Sequence, residues 1–129
     1  MSELRYSLDS SALLAVLNGE SGCEVVEAVL AISQIGTVNL AEVASKLNDY
    51  ALSEDELAQM IAATELIVIP FDRDQAVRVG ALRSLTRSKG LSLGDRACLA
   101  LAEKTATIAL TADRAWLELD LGIRIELIR

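Results

Sequence analysis

Short apolar runs alternate with longer stretches of helical spacing along this chain, and that alternation limits the fold more than any other feature. The runs fall at residues 4–8, 35–38 (IGTV), 66–69 (LIVI), 107–110 (TIAL) and, more weakly, 124–128 (RIELI). Helical periodicity fills 11–18, 22–33, 40–50, 54–64, 73–88 and 94–105, with a short piece at 114–119. Start signals agree with this division. Asn39-x-x-Glu42 and Ser92-x-x-Asp95 have the form of capping boxes, and Ser53 precedes three acids in a first turn. Strands that read as continuous apolar runs, separated by helices, predict an α/β protein with a mostly parallel sheet covered on both faces. No repeat, low-complexity tract or Pro/Gly-rich linker interrupts the 129 residues, which predicts one domain over 1–129.

Composition removes whole classes of function. At 52% hydrophobic residues the chain is too apolar to be disordered, yet no apolar run approaches the ~20 residues that span a bilayer. "MSELRYSLD" has neither the basic start nor the small-residue cleavage site of a secretory leader, so the expected location is the cytoplasm, with no membrane partner. Cys23 and Cys98 lie far apart and read as reduced, buried packing residues. There is no histidine, which excludes histidine-dependent nucleophiles, histidine-ligated zinc and histidine acid–base chemistry. Carboxylates, hydroxyls and basic side chains are the available tools.

In an open parallel sheet every strand ends at the same edge, and ligands bind there, where the strand order reverses. Asp9 follows the first strand, Asn39 and Glu42 the second, Asp72 the third and Asp113 the fourth; Asp95 opens the helix before the fourth. Each acid alone has a structural explanation. Asp9 and Asp113 suit helix caps, and Glu42 and Asp95 suit capping-box partners. Gathered at one edge they would repel one another unless a cation compensated, and all-oxygen donors point to Mg²⁺ or Mn²⁺.

The segments "YSLDSSALLAVL", "GTVNLAEVASKL", "GLSLGDRACLALA" and "IALTADRAW" resemble PIN-domain proteins, specifically the VapC toxins of type II toxin–antitoxin pairs, over essentially the whole chain. The resemblance implies a three-layer α/β/α sandwich with a sheet of four or five strands. It also implies a Mg²⁺- or Mn²⁺-dependent ribonuclease, usually a homodimer, silenced by a VapB-type antitoxin. By the same resemblance Asp9, Glu42, Asp95 and Asp113 are the catalytic and metal-holding acids, with Ser11 and Thr111 in support. Asn39 stands where many relatives have Ser or Thr and is left outside the core set. Asp72 is left out too, because its strand would lie at the edge of the sheet, and Asp74 with it.

Charge is unevenly spread. The net −7 divides into 12 acids against 2 bases over residues 1–72, 8 bases against 4 acids over 73–114, and 2 bases against 3 acids thereafter. A basic segment in an acidic chain favours a polyanion locally. Arg83 and Arg87 stand one helical turn apart. Arg96 and Arg114, each beside a candidate acid, are the expected holders of an RNA backbone, with pairing to surface acids as the equal alternative. Four aromatics (Tyr6, Tyr50, Phe71, Trp116) are too few and scattered for base-stacking platforms and read as core or interface. Apolar positions such as Val25, Val26, Val29 and Leu30 suit either simple packing or a surface for a second copy or an antitoxin helix.

Other α/β readings fit less well. A haloacid-dehalogenase-type phosphatase needs Asp-x-Asp after the first strand, where Ser11 stands; a receiver domain needs an acidic pair there and a late Lys. A PIN-like module that binds RNA or protein without cutting remains the alternative from a different class.

Overall fold

The computed structural model describes residues 3–129. Strand β1 (Tyr6–Leu8) leads into α1 (Ser10–Asn18), then α2 (Cys23–Val29), β2 (Ser33–Gly36) and α3 (Thr37–Asn48). Helix α4 (Glu54–Ala63), β3 (Ile67–Ile69), α5 (Arg73–Thr86), α6 (Leu93–Thr105), β4 (Ile108–Thr111) and β5 (Ile125–Leu127) complete the chain. Single 3₁₀ turns occupy Leu30–Ile32, Arg87–Lys89 and Arg114–Glu118.

All five strands are parallel, in the order β3-β2-β1-β4-β5. The chain winds from β1 out to β3, crosses back and adds β4 and β5 on the other side. Its switch point therefore lies between β1 and β4. Register places Leu8 opposite Ile35 on one side and Leu110 on the other, and these three fully buried side chains head one core. Ala12, Leu13, Val26, Val43 and Leu47 from α1, α2 and α3 close over them. Ala109 begins the second core, where Val79, Leu82, Cys98, Leu99 and Trp116 fill the space under α5 and α6. Helices thus cover both faces, giving the expected three-layer α/β/α sandwich.

Two boundaries differ from the sequence reading. The apolar periodicity over 22–33 is cut at Val29: a 3₁₀ turn follows and Ser33 already pairs with Tyr6. Helix α3 starts at Thr37, capped by no side chain, so the Asn39-x-x-Glu42 capping box does not exist. The Ser92/Asp95 box does form, and Ser53, expected only before an acidic first turn, makes a further box with Glu56. Cys98 is buried as expected, whereas Cys23 is only half-buried, because it opens α2 at the surface, its thiol donating to Glu24. Tyr50 is 69% exposed, while Trp116 is buried. No helix among the described residues is long and apolar enough to cross a membrane.

Candidate functional site

Asp9 sits where β1 stops, beside the switch point. Its backbone N–H still donates to Leu110 O, extending the β1–β4 ladder by one residue, while its side chain already caps α1. Oδ1 accepts from the Ala12 N–H at 2.9 Å and the Ser11 hydroxyl at 2.6 Å; Oδ2 accepts from the Thr111 hydroxyl at 2.5 Å. The carboxylate is thus both cap and buried polar centre, only 4% exposed. Burial pushes its pKa up and the negative charge of Asp95 adds to that push, opposed by the three hydrogen bonds. Ser11 and Thr111 do further work. The Ser11 oxygen accepts from the Ala112 N–H, and the Thr111 oxygen from the Asp113 N–H, tying the start of α1 to the end of β4.

Glu42 reaches the same region from α3. Because α3 begins two residues before Asn39, the buried Asn39 amide is free to donate to Glu42 Oε1 at 3.1 Å and to Gly94 O at 3.0 Å. Asn39 thereby fixes the glutamate against the first turn of α6. The space there is tight, since a Cβ on Gly94 would overlap the Glu42 carboxylate. The sequence reading took Asn39 as a cap and, by the family resemblance, as a polar partner left outside the core set. The structure starts α3 at Thr37, before the 40–50 spacing, and so puts Asn39 inside the helix, where an asparagine is a poor helix former unless its amide has a partner.

Asp95 lies in the first turn of α6, its Oδ2 accepting from the Ser92 N–H at 3.0 Å. Asp113 is exposed and caps the turn Arg114–Glu118 through Oδ1, which accepts from the Ala115 N–H. Each of the four acids keeps carboxylate lone pairs unspent by these bonds. The buried Cys98 thiol is pushed well up by burial first and then by the negative charges of Asp9, Asp95 and Glu42. Among the described residues no Lys or Arg forms an ion pair with Asp9, Glu42, Asp95 or Asp113. Nor do three acids there stand close enough to grip one ion together. Hard oxygen donors of this kind fit Mg²⁺ in its usual habit of one or two direct carboxylates with water completing the octahedron.

Asp72 occupies a locally identical position, after β3 and capping α5, but pairs with Lys104 at 2.5 Å. Arg96 is not the free surface cation the sequence suggests, nor is it paired with an acid. Its side chain folds onto α5, Nη1 donating to Val79 O at 2.8 Å and Nε to Ser92 O at 3.3 Å. Arg114 is exposed beside Asp113.

The PIN-domain family model matches residues 6–121. This chain belongs to the PIN-domain family. Its fold is shared with solved toxin–antitoxin proteins. VapBC from Salmonella typhimurium, solved bound to DNA, superposes with a TM-score of 0.71 at 21% identity, covering 98% of this chain and 99% of that one. VapBC2 from Rickettsia felis, bound to a promoter DNA fragment, gives 0.73 at 16% identity, with 96% and 98% covered. VapBC-5 from Mycobacterium tuberculosis gives 0.58 at 24% identity, with 97% and 98% covered. No curated protein sequence matches the chain significantly.

Proposed function

We propose that this PIN domain is the toxin of a type II toxin–antitoxin pair and hydrolyses RNA phosphodiester bonds at the edge bearing Asp9, Glu42, Asp95 and Asp113. The observation that carries the reading is uncompensated charge: a buried Asp9, and a Glu42 carboxylate lying against Gly94 next to Asp95, with no basic side chain among the described residues paired to any of them. A dication is the natural complement. PIN domains are generally nucleases that use divalent metals, and the toxin assignment draws on the VapBC neighbours.

Asp9 and Glu42 would hold Mg²⁺ or Mn²⁺, with Asp95 and Asp113 acting directly or through water. The bound cation supplies Lewis acidity, lowering the pKa of the attacking water and offsetting charge on the non-bridging oxygens. The chain's contribution is preorganisation. Ser11, Thr111 and the Ala12 N–H fix the Asp9 carboxylate, and Asn39 fixes Glu42, so neither reorganises as the reaction proceeds. Asp95 and Asp113, with free lone pairs at the rim, accept hydrogen bonds from incoming water. In-line attack by water needs no ribose hydroxyl and leaves 5′-phosphate and 3′-hydroxyl ends. Arg114, exposed beside Asp113, is placed to meet a flanking phosphate. The same reading gives the protein a VapB-type antitoxin and a second copy of itself as partners, in the cytoplasm.

A non-catalytic RNA- or protein-binding module is favoured by one observation, the lack of a three-carboxylate cage among the described residues. Incubation of structured RNAs with Mn²⁺ or Mg²⁺, with and without chelator, separates the two. Chelator-sensitive cleavage with 5′-phosphate ends supports the nuclease; RNA binding without cleavage supports the module. Arrested growth on expression in a bacterium, relieved by Asp95→Asn, supports the toxin assignment.

A further inference from the structure

Arg96 is an arginine only 9% exposed, with no carboxylate partner among the described residues. A guanidinium has five N–H donors, and this one gives two of them to the carbonyls of Val79 and Ser92. Among the described residues its Nη2 has no acceptor, yet it is not a buried unpartnered atom, so it opens on solvent. The opening is a surface pocket of about 360 Å³ lined by Arg83, Arg87, Gly90, Leu91 and Arg96. Arg83 and Arg87 project from successive turns at the end of α5, and neither has an acidic partner among the described residues. Lys89, also nearby in sequence, is already paired with Glu118.

Basic residues at the C-terminal end of α5 complement its dipole, but that effect does not call for a third arginine arriving from α6. Burying a cation without a counter-ion is costly, and buried charges are normally paired. Three unpaired guanidiniums converging on one concavity, in a chain of net charge −7, leave a local excess of positive charge that an oxyanion would balance. Gly90 adds access, since its left-handed backbone (φ +64°) carries no side chain over the rim and a Cβ there would meet nothing. The volume exceeds that of a lone anion and suits a nucleotide unit.

We propose that Arg83, Arg87 and Arg96 form a phosphate-recognition pocket that holds the RNA backbone away from the scissile bond, a role that rests on the nuclease reading for its ligand. The donors fork onto phosphate oxygens and read no base edge, so the pocket sets affinity and register rather than sequence.

The test is fluorescence anisotropy with a labelled mixed-sequence RNA oligonucleotide in chelator, which prevents cleavage. Arg83→Gln/Arg87→Gln changes exposed side chains and leaves the buried Arg96 in place. It should weaken binding about tenfold at low salt and reduce the slope of log affinity against log salt by about 1.4, the value for two lost phosphate contacts. A charge-matched control, Arg5→Gln/Arg124→Gln at the opposite end of the strands, should bind like the wild type. Equal losses in both variants, no loss in the first, or no binding by the wild type would overturn the pocket. So would loss in the first variant of binding to a labelled poly-glutamate peptide but not to RNA, which would assign the pocket to an acidic protein partner. Cleavage in Mn²⁺ separates this proposal from the one it rests on. A raised KM with unchanged kcat in the first variant supports the pocket. RNA binding through the pocket without cleavage removes the nuclease alone, and normal cleavage with unchanged KM removes the pocket alone.

Discussion

Asp9 and Asp72 are the same local device in opposite surroundings. Each follows a parallel strand, adopts extended backbone and caps the next helix with its carboxylate. Asp9 ends a central strand, is buried, has a raised pKa and has no cationic partner among the described residues. Asp72 ends the edge strand β3, is exposed, and its carboxyl is held below the ordinary range mainly by the Lys104 ammonium. What distinguishes a cap from a candidate ligand is thus the strand's place in the sheet, which decides burial and whether a lysine can reach the carboxylate.

The strongest way to break this comparison is to neutralise each acid in turn. Asp9→Asn should reduce metal-dependent RNA cleavage by about a hundredfold or more, beyond the ~10–100-fold usual for residues that merely orient a ligand. Asp72→Asn should leave cleavage within about twofold, as a surface pair remote from the reacting atoms. Comparable losses in the two would show that position in the sheet confers nothing. Next in size are two variants that displace Glu42 without touching its charge. Asn39→Ala removes its amide partner, and Gly94→Ala places a methyl where its carboxylate lies. Each should raise the Mn²⁺ concentration for half-maximal cleavage by about 10-fold. Gly94→Ala should do so with no loss of Tm, since alanine favours the helix.

The smallest effects are on stability, and they run in opposite directions. Native Asp9 holds its proton more tightly than the unfolded chain does, so stability falls as pH rises from the ordinary value of 3.8 to the raised native one. Asp9→Asn should therefore raise Tm at neutral pH, with the gain vanishing below the ordinary carboxylate range. For Asp72 the native pKa is depressed, so its contribution is present above 3.8 and is lost as pH falls through the native value. Asp72→Asn should lower Tm slightly at pH 7 and not at all in acid. Thermal melts across pH check both signs.

Much of this was legible in the residues themselves. The apolar runs marked β1, β3 and β4, although β3 at the sheet edge is largely exposed, whereas β2 (SQIG) overlaps its expected run only at Ile35 and Gly36. Ser53 before its three acids and the Ser92 capping box marked two helix starts within one residue. Excluding Asp72 needed the strand order, which periodicity does not contain. Three features were hidden for physical reasons. The α2–β2 boundary was masked because Val29, Leu30 and Ile32 keep their apolar spacing through a 3₁₀ turn. Asn39 resembled a cap because the true start of α3 uses no side chain. Arg96, set between the acidic Asp95 and the apolar run that begins at Ala97, read as a surface cation because its charge outweighed its place at the edge of that run, and its side chain folds onto α5 instead.

The central claim is that the acidic edge needs a dication to balance it, and thermal stability against Mn²⁺ concentration tests it most directly. A ligand that binds only the folded state stabilises it by about 2.7 kcal/mol at a hundred times its Kd. The wild type should rise in Tm by several degrees, saturably and reversibly with chelator, while Asp9→Asn should not respond. A wild type indifferent to Mn²⁺, or an equal rise in both proteins, would contradict the account.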